Sequence, residues 1–116
     1  MLGFIVEGFN DEYKLRSCFP DAYVVVTQGD RLDNAVRNKI KTALIECSMV
    51  ILLTDPDEAG NNYAKKLSVE FPTLQRLELD PAKCKCVRNR KLKIGVEHAS
   101  REYLVRVINS FLETRT

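Results

Sequence analysis

The sequence predicts an α/β domain built on a parallel sheet of about four strands, with helices flanking both faces. Three observations carry this expectation. Short apolar runs alternate with segments whose apolar residues recur at helical spacing. The first and third of those runs are nearly continuous, as strands are when helices cover both of their faces. The chain of 116 residues is the size of one domain, 1–116, and can bury a core without disulfide or metal staples. Alternation of this kind implies right-handed crossovers.

The strands are expected at 3–6, 23–26, 49–53 and 74–79. Leu15, Cys18 and Phe19 mark a short first helix that Pro20 ends. Val36, Ile40, Ala43, Leu44 and Cys47 form the second apolar stripe, with Asp33 as its N-cap. Tyr63, Ala64, Leu67 and Phe71 form a third, stopped by Pro72. The clearest stripe is the last: Ala99, Tyr103, Leu104, Val107, Ile108, Phe111 and Leu112, with Ser100, Arg101 and Glu102 supplying suitable N-terminal chemistry. Residues 80–95 read as a long connection, the kind that is functional or mobile in a compact domain.

Composition excludes several classes. Hydrophobic residues make up 45%, too many for a disordered chain. No apolar run approaches the roughly 20 residues of a membrane span, and the first residues read directly into a strand with no cleavable leader. A cytoplasmic protein without membrane contact is the expectation. The formal net charge is only +2, yet between Pro81 and Val96 stand Lys83, Lys85, Arg88, Arg90, Lys91 and Lys93 with no acid among them. Such a strip suits phosphate; its plainer reading is a solvated loop. Cys84 and Cys86 are too close for a zinc knuckle, and Cys18 and Cys47 fall at apolar helix positions, so all four are read as buried or incidental thiols.

The acids are placed where open parallel sheets bind ligands, beyond the carboxyl ends of strands. Glu7 follows the first strand and precedes Gly8. Asp55 and Asp57 follow the third, with Gly60 close behind. If these strands are neighbours, the three carboxylates meet. Two carboxylates about 5 Å apart repel by roughly 3 kcal/mol at an effective dielectric near 20. A divalent cation removes that repulsion, and magnesium takes one or two carboxylates together with substrate phosphate and water. Gly8 and Gly60 would let backbone approach the phosphate. The plainer reading is a strand-to-helix turn with acids at a positive helix end. A calcium loop fits worse, since it needs an oxygen donor at Ala59 and a glutamate at Lys66.

Val6-Glu7-Gly8 and Thr54-Asp55-Pro56-Asp57-Glu58-Ala59-Gly60 together resemble the Toprim domain of topoisomerases, primases and certain nucleases, a Rossmann-like fold. Within that superfamily the sequence is most similar to the nuclease branch that matures 5S ribosomal RNA. The further points of likeness are Asp11, Thr27-Gln28-Gly29, and the basic loop running into Gly95-Val96-Glu97-His98-Ala99. The resemblance implies that Asp55 and Asp57 hold magnesium, manganese substituting. It implies that Glu7 acts as general acid or base and as a metal ligand. Gly8, Asp11, Gly60, Glu97, His98 and the six basic residues would engage the substrate. The implied reaction is phosphodiester hydrolysis on structured RNA, with a separate protein supplying targeting, because the chain ends soon after its last helix. One departure is Phe9, where the nucleases usually carry lysine. Two rivals remain: a binding module without turnover, and a signalling receiver domain. Receivers pair acids after the first strand and end the last with lysine, and neither feature is present.

Overall fold

A computed structural model describes residues 1–115. The chain runs β1 (Leu2–Val6), α1 (Phe9–Cys18), β2 (Tyr23–Val26), α2 (Asn34–Glu46), β3 (Met49–Leu52), α3 (Glu58–Glu70) and β4 (Gln75–Arg76). After a 3-10 turn at Pro81–Lys83 come β5 (Lys85–Arg88) and β6 (Lys91–Ile94). A second 3-10 turn at Val96–His98 leads into α4 (Arg101–Glu113). The first four strands form one parallel sheet in the order β2-β1-β3-β4.

The continuous apolar runs are explained by side-chain alternation across this sheet. Phe4, Val6, Ile51 and Leu53 point to one face, where they pack with Leu15 of α1 and Leu104, Ile108 and Phe111 of α4. Ile5, Val50 and Leu52 point to the other, against Val36 and Ile40 of α2 and Tyr63 and Leu67 of α3. Both faces of β1 and β3 are covered, so neither strand has a polar side. Helix α2 starts at the cap the sequence named, and α4 within the stretch read as suitable N-terminal chemistry. Asp33 accepts from the Val36 N–H at 3.0 Å, and Ser100 from the Tyr103 N–H at 3.1 Å. Helix α1 opens directly after Gly8, whose N–H donates to the Asp11 carboxylate at 3.1 Å. It stops just before Pro20, and α3 just before Pro72.

Two expectations are corrected. The fourth strand shrinks to Gln75–Arg76, because only these residues pair, with Ile51 and Leu52. Leu74, Leu77 and Leu79 are buried nonetheless, as extended chain closing the two cores. Residues 80–95 are not an irregular connection. They fold into an antiparallel hairpin whose pairs run from Lys85↔Ile94 to Arg88↔Lys91. Its two-residue turn, Asn89-Arg90, has φ of 53° and 61°, the left-handed pair that a tight hairpin requires. The Gly95 N–H closes the base on the Cys84 carbonyl at 2.9 Å. The cysteines are free thiols: Cys47 and Cys84 are buried, Cys18 and Cys86 half-buried. Burial pushes the Cys84 thiol up to about 11, which makes it inert as a nucleophile.

Gly60 sits in the first turn of α3 and is buried there. A Cβ on it would lie 1.9 Å from the Asp55 carbonyl oxygen. The close approach it permits is therefore to the backbone of the Asp55 turn. Gly60→Ala is expected to cost about 3 kcal/mol or more, because the helix must move off β3. That corresponds to a fall in Tm of roughly 12 °C or more by circular dichroism. An unchanged melt would mean that α3 is not seated on this turn.

Candidate functional site

Strands β1 and β3 are neighbours, with Ile5 opposite Leu52, so the chains that leave them emerge side by side on one edge of the sheet. The ladder continues past the strands. The Leu53 N–H donates to the Ile5 carbonyl at 2.9 Å, and the Asp55 N–H donates to Glu7 Oε2 at 2.8 Å. Glu7 is itself fixed from the other side: the Gly29 N–H donates to its backbone carbonyl at 2.9 Å. The turn that brings Gly29 there has φ of 61° at Gln28 and 91° at Gly29, and the buried Thr27 hydroxyl ties it by donating to the Gly29 carbonyl at 2.6 Å. Thr27-Gln28-Gly29 is thus a brace for Glu7.

Asp11 and Asp55 reach across to the segment that follows the hairpin. Asp55 Oδ1 accepts from the Val96 N–H at 3.1 Å, and Asp11 Oδ1 from the Glu97 N–H at 2.9 Å. With Oδ2 held by Gly8, both oxygens of Asp11 are spent on backbone amides, which makes this residue an anchor between α1 and the hairpin exit. These amide contacts were not legible in the sequence, which showed only that Val96 and Glu97 follow a basic stretch. Together the groups line a pocket of about 340 Å³ that includes Glu7, Gly8, Asp11, Asp55, Lys93, Glu97 and His98. His98 Nε2 lies 3.3 Å from a Glu97 carboxylate oxygen.

Asp57 stands apart from that pocket. Its Oδ1 caps α3 by accepting from the Gly60 N–H at 2.7 Å. Its charge still reaches the site, as the shifts of its neighbours show. Burial pushes the Glu7 carboxyl up to about 7, reinforced by the charges of Asp55 and Asp57 and opposed by the Asp55 N–H. Burial likewise raises Asp11 to about 7, with the Asp55 charge adding to it. Asp55 is raised by burial and by Asp57 and Glu97, and lowered by the Val96 N–H and by a side-chain hydrogen bond with Glu7. The cluster sheds like charge by keeping protons.

The donor set suits a hard divalent cation. All its groups are carboxylates, and the repulsion among them is what such an ion removes. Among the described residues no three His, Cys, Asp or Glu side chains already converge as a ready-made metal cage. Magnesium seldom uses such a cage, taking one or two carboxylates with water and phosphate.

Of the six basic residues, Lys93 lines the pocket. Lys83, Lys85, Arg88, Arg90 and Lys91 are exposed on the hairpin and the turn before it. Cross-strand pairing puts Arg88, Lys91 and Lys93 on one face with Cys86, and Lys85, Val87, Leu92 and Ile94 on the other. None of the six forms an ion pair among the described residues.

Residues 3–89 match the family described as Toprim domain. Three relatives named ribonuclease M5 align with most of the chain. The protein of Bacillus anthracis is 31% identical over 94% of this chain and 57% of its own length. That of Bacillus subtilis strain 168 is 35% identical over 84% and 50%, and that of Staphylococcus aureus 29% over 94% and 61%. The chain spans about half the length of the curated relatives it matches. In shape it is similar to a small TOPRIM domain protein from Bacillus stearothermophilus, with a TM-score of 0.69 and 24% identity, over 98% of this chain and 85% of that one.

The raised carboxyls set a pH dependence whose sign follows from linkage. Glu7 and Asp11 bind protons more tightly folded, at about 7, than unfolded, at 4.5 and 3.8. The unfolded chain therefore releases protons first, and stability falls as pH rises from about 4 to about 7. Asp33, held low by the Val36 N–H, acts below this window. In EDTA the Tm is expected to be lower at pH 8 than at pH 5, and Glu7→Gln is expected to lose less over the same span. Equal melts for the wild type at both values would contradict the buried-charge account.

Proposed function

We propose that this chain, which belongs to the Toprim domain family, is the catalytic module of a magnesium-dependent nuclease that hydrolyses RNA phosphodiester bonds. The observation that carries the reading is the meeting of Glu7 and Asp55 across the ends of β1 and β3, in a pocket that the basic hairpin enters through Lys93. Residues 1–116 would act as one unit, in the cytoplasm. Among the described residues no helix is long and apolar enough to cross a membrane.

Asp55 and Asp57, with Glu7, would hold magnesium or manganese. The bound ion supplies charge neutralisation at a phosphate and acidifies a water. The remaining work falls to the chain itself. Glu7, with a carboxyl near 7, is matched to carry a proton to or from the attacking or leaving oxygen. Asp11 and Asp55 hold the 96–97 backbone and so set the position of Lys93. Arg88, Lys91 and Lys93 present one cationic face to a sugar-phosphate backbone, with Arg90 in the adjoining turn, Lys83 before the hairpin and Lys85 on its other face. Such contacts position a strand and read no bases, so selection of a structured RNA would fall to a further RNA- or ribosome-binding element acting with this module. The shared name ribonuclease M5 among the relatives supports RNA as the substrate.

One observation favours an RNA-binding module without turnover: Asp11, Asp55 and Asp57 each already accept a backbone N–H. The deciding experiment is incubation of pure protein with structured ribosomal RNA precursors in magnesium and in EDTA. The expected result is cleavage in magnesium alone, reduced at least about 100-fold in Glu7→Gln and Asp55→Asn while both variants still melt cooperatively. Undiminished cleavage by either variant would contradict the assignment. Binding without cleavage by the wild type would transfer it to the module without turnover.

A further inference from the structure

Beside the carboxylate pocket, the first two turns of α1 carry two aromatic rings into solvent. Phe9 is 61% exposed and Tyr13 80%. They stand one turn apart, on one face of the helix. Among the described residues every other aromatic ring is buried or half-buried. Neither Phe9 nor Tyr13 stacks on another ring or on a guanidinium among those residues. Exposed apolar residues scattered singly need no explanation, but a pair of open rings beside a candidate site does.

The helix itself sets where these rings lie relative to the site. Helix α1 opens right after Gly8, and Gly8 and Asp11 line the carboxylate pocket. Phe9 is two residues from Glu7, so their Cα atoms lie within about 7 Å of each other. Asp11 turns inward to accept the Glu97 N–H at the hairpin exit. Two residues separate Asp11 from each ring, more than half a turn of helix, so Phe9 and Tyr13 face away from that exit. The order across this edge is therefore the cationic hairpin, entering through Lys93, then the carboxylates, then the two rings.

Size and shape narrow the ligand. An aromatic side chain buries about 150–250 Å², so the two rings together offer no more than about 500 Å². A stable protein partner covers about 800 Å² on each side, more than they supply. Open, flat rings of this extent match the faces of one or two nucleobases. We propose that Phe9 and Tyr13 form a stacking platform for an unpaired base next to the phosphate that the carboxylates engage. The inference rests on the nucleic-acid reading above and adds to it the kind of strand that is bound. A base inside a duplex is covered by its neighbours, so the platform takes bases from loops, bulges and ends. Every base has a π-face, so it adds affinity and position without sequence preference. The hairpin holds phosphates on one side of the site, and the rings hold a base on the other.

The test reads binding in EDTA, without metal or cleavage. The protein is titrated, by fluorescence anisotropy, against an end-labelled riboadenylate octamer and against an abasic ribose-phosphate octamer of the same length. The octamer with bases is expected to bind at least about tenfold more tightly. Phe9→Leu and Tyr13→Leu keep an apolar side chain at an exposed helical position, so the fold is undisturbed. Each is expected to cut that ratio at least about threefold. The slope of log Kd against log salt should stay at the wild-type value, because the rings neutralise no phosphate. Phe9→Trp, which keeps a ring, is expected to keep the ratio. Three results would overturn the platform: equal affinity for the two octamers, no binding of the riboadenylate octamer, or a wild-type ratio in the Phe9→Leu, Tyr13→Leu double variant. Any of these beside intact magnesium-dependent cleavage of structured precursors would remove the platform and leave the nuclease. A ratio that the double variant loses, in a protein that cuts nothing, would keep the platform and remove the nuclease.

Discussion

The hydrogen bond from the Asp55 N–H to Glu7 Oε2, at 2.8 Å, is the interaction on which the rest of the site depends. It extends the β1–β3 ladder by one side-chain rung and holds two carboxyls in the same small volume. Most neighbouring features serve that rung. Thr27, Gln28 and Gly29 brace Glu7 from the β2 side, and Gly60 lets α3 close down on the Asp55 carbonyl. The local cost is electrostatic: burial and mutual repulsion raise the Glu7 and Asp11 carboxyls to about 7 and push Asp55 upward as well. A cluster that binds protons more tightly than free carboxylates do is one in which a cation can take their place.

The same acids also support the hairpin. Asp11 and Asp55 accept the amides of Glu97 and Val96, so the basic face made by Arg88, Lys91 and Lys93 is hung from the carboxylates it would serve. Positive charge for a nucleic-acid backbone and negative charge for a metal are therefore held in fixed relation by backbone hydrogen bonds. The exposed basic side chains themselves add little rigidity, since surface charges hold one another weakly.

Much of this was legible in the sequence for identifiable reasons. Helices α2 and α4 carried clean apolar stripes; Asp33 caps α2 as expected, and Ser100, read only as suitable N-terminal chemistry, caps α4. The unbroken apolar runs of β1 and β3 foretold central strands, and their adjacency brought Glu7 to Asp55. The hairpin was hidden because its turn is Asn89-Arg90, without the glycine that usually marks such a turn, and because Leu92 stands between two lysines and Val87 beside Arg88. Asp11 was read through the resemblance as a substrate contact, and only the folded chain shows its bonds to the nearby Gly8 amide and the distant Glu97 amide. Asp57 was grouped with Asp55 by spacing, and the fold adds that one of its oxygens caps α3.

The most direct test of the account is the titration of the Glu7 side-chain carboxyl by ¹³C NMR, with and without magnesium. The expected result is a midpoint near 7 in EDTA that falls by at least about one unit when magnesium is added, since the cation then takes the place of the proton. A Glu7 that titrates at an ordinary carboxylate value in EDTA, or one whose midpoint ignores magnesium, would contradict it.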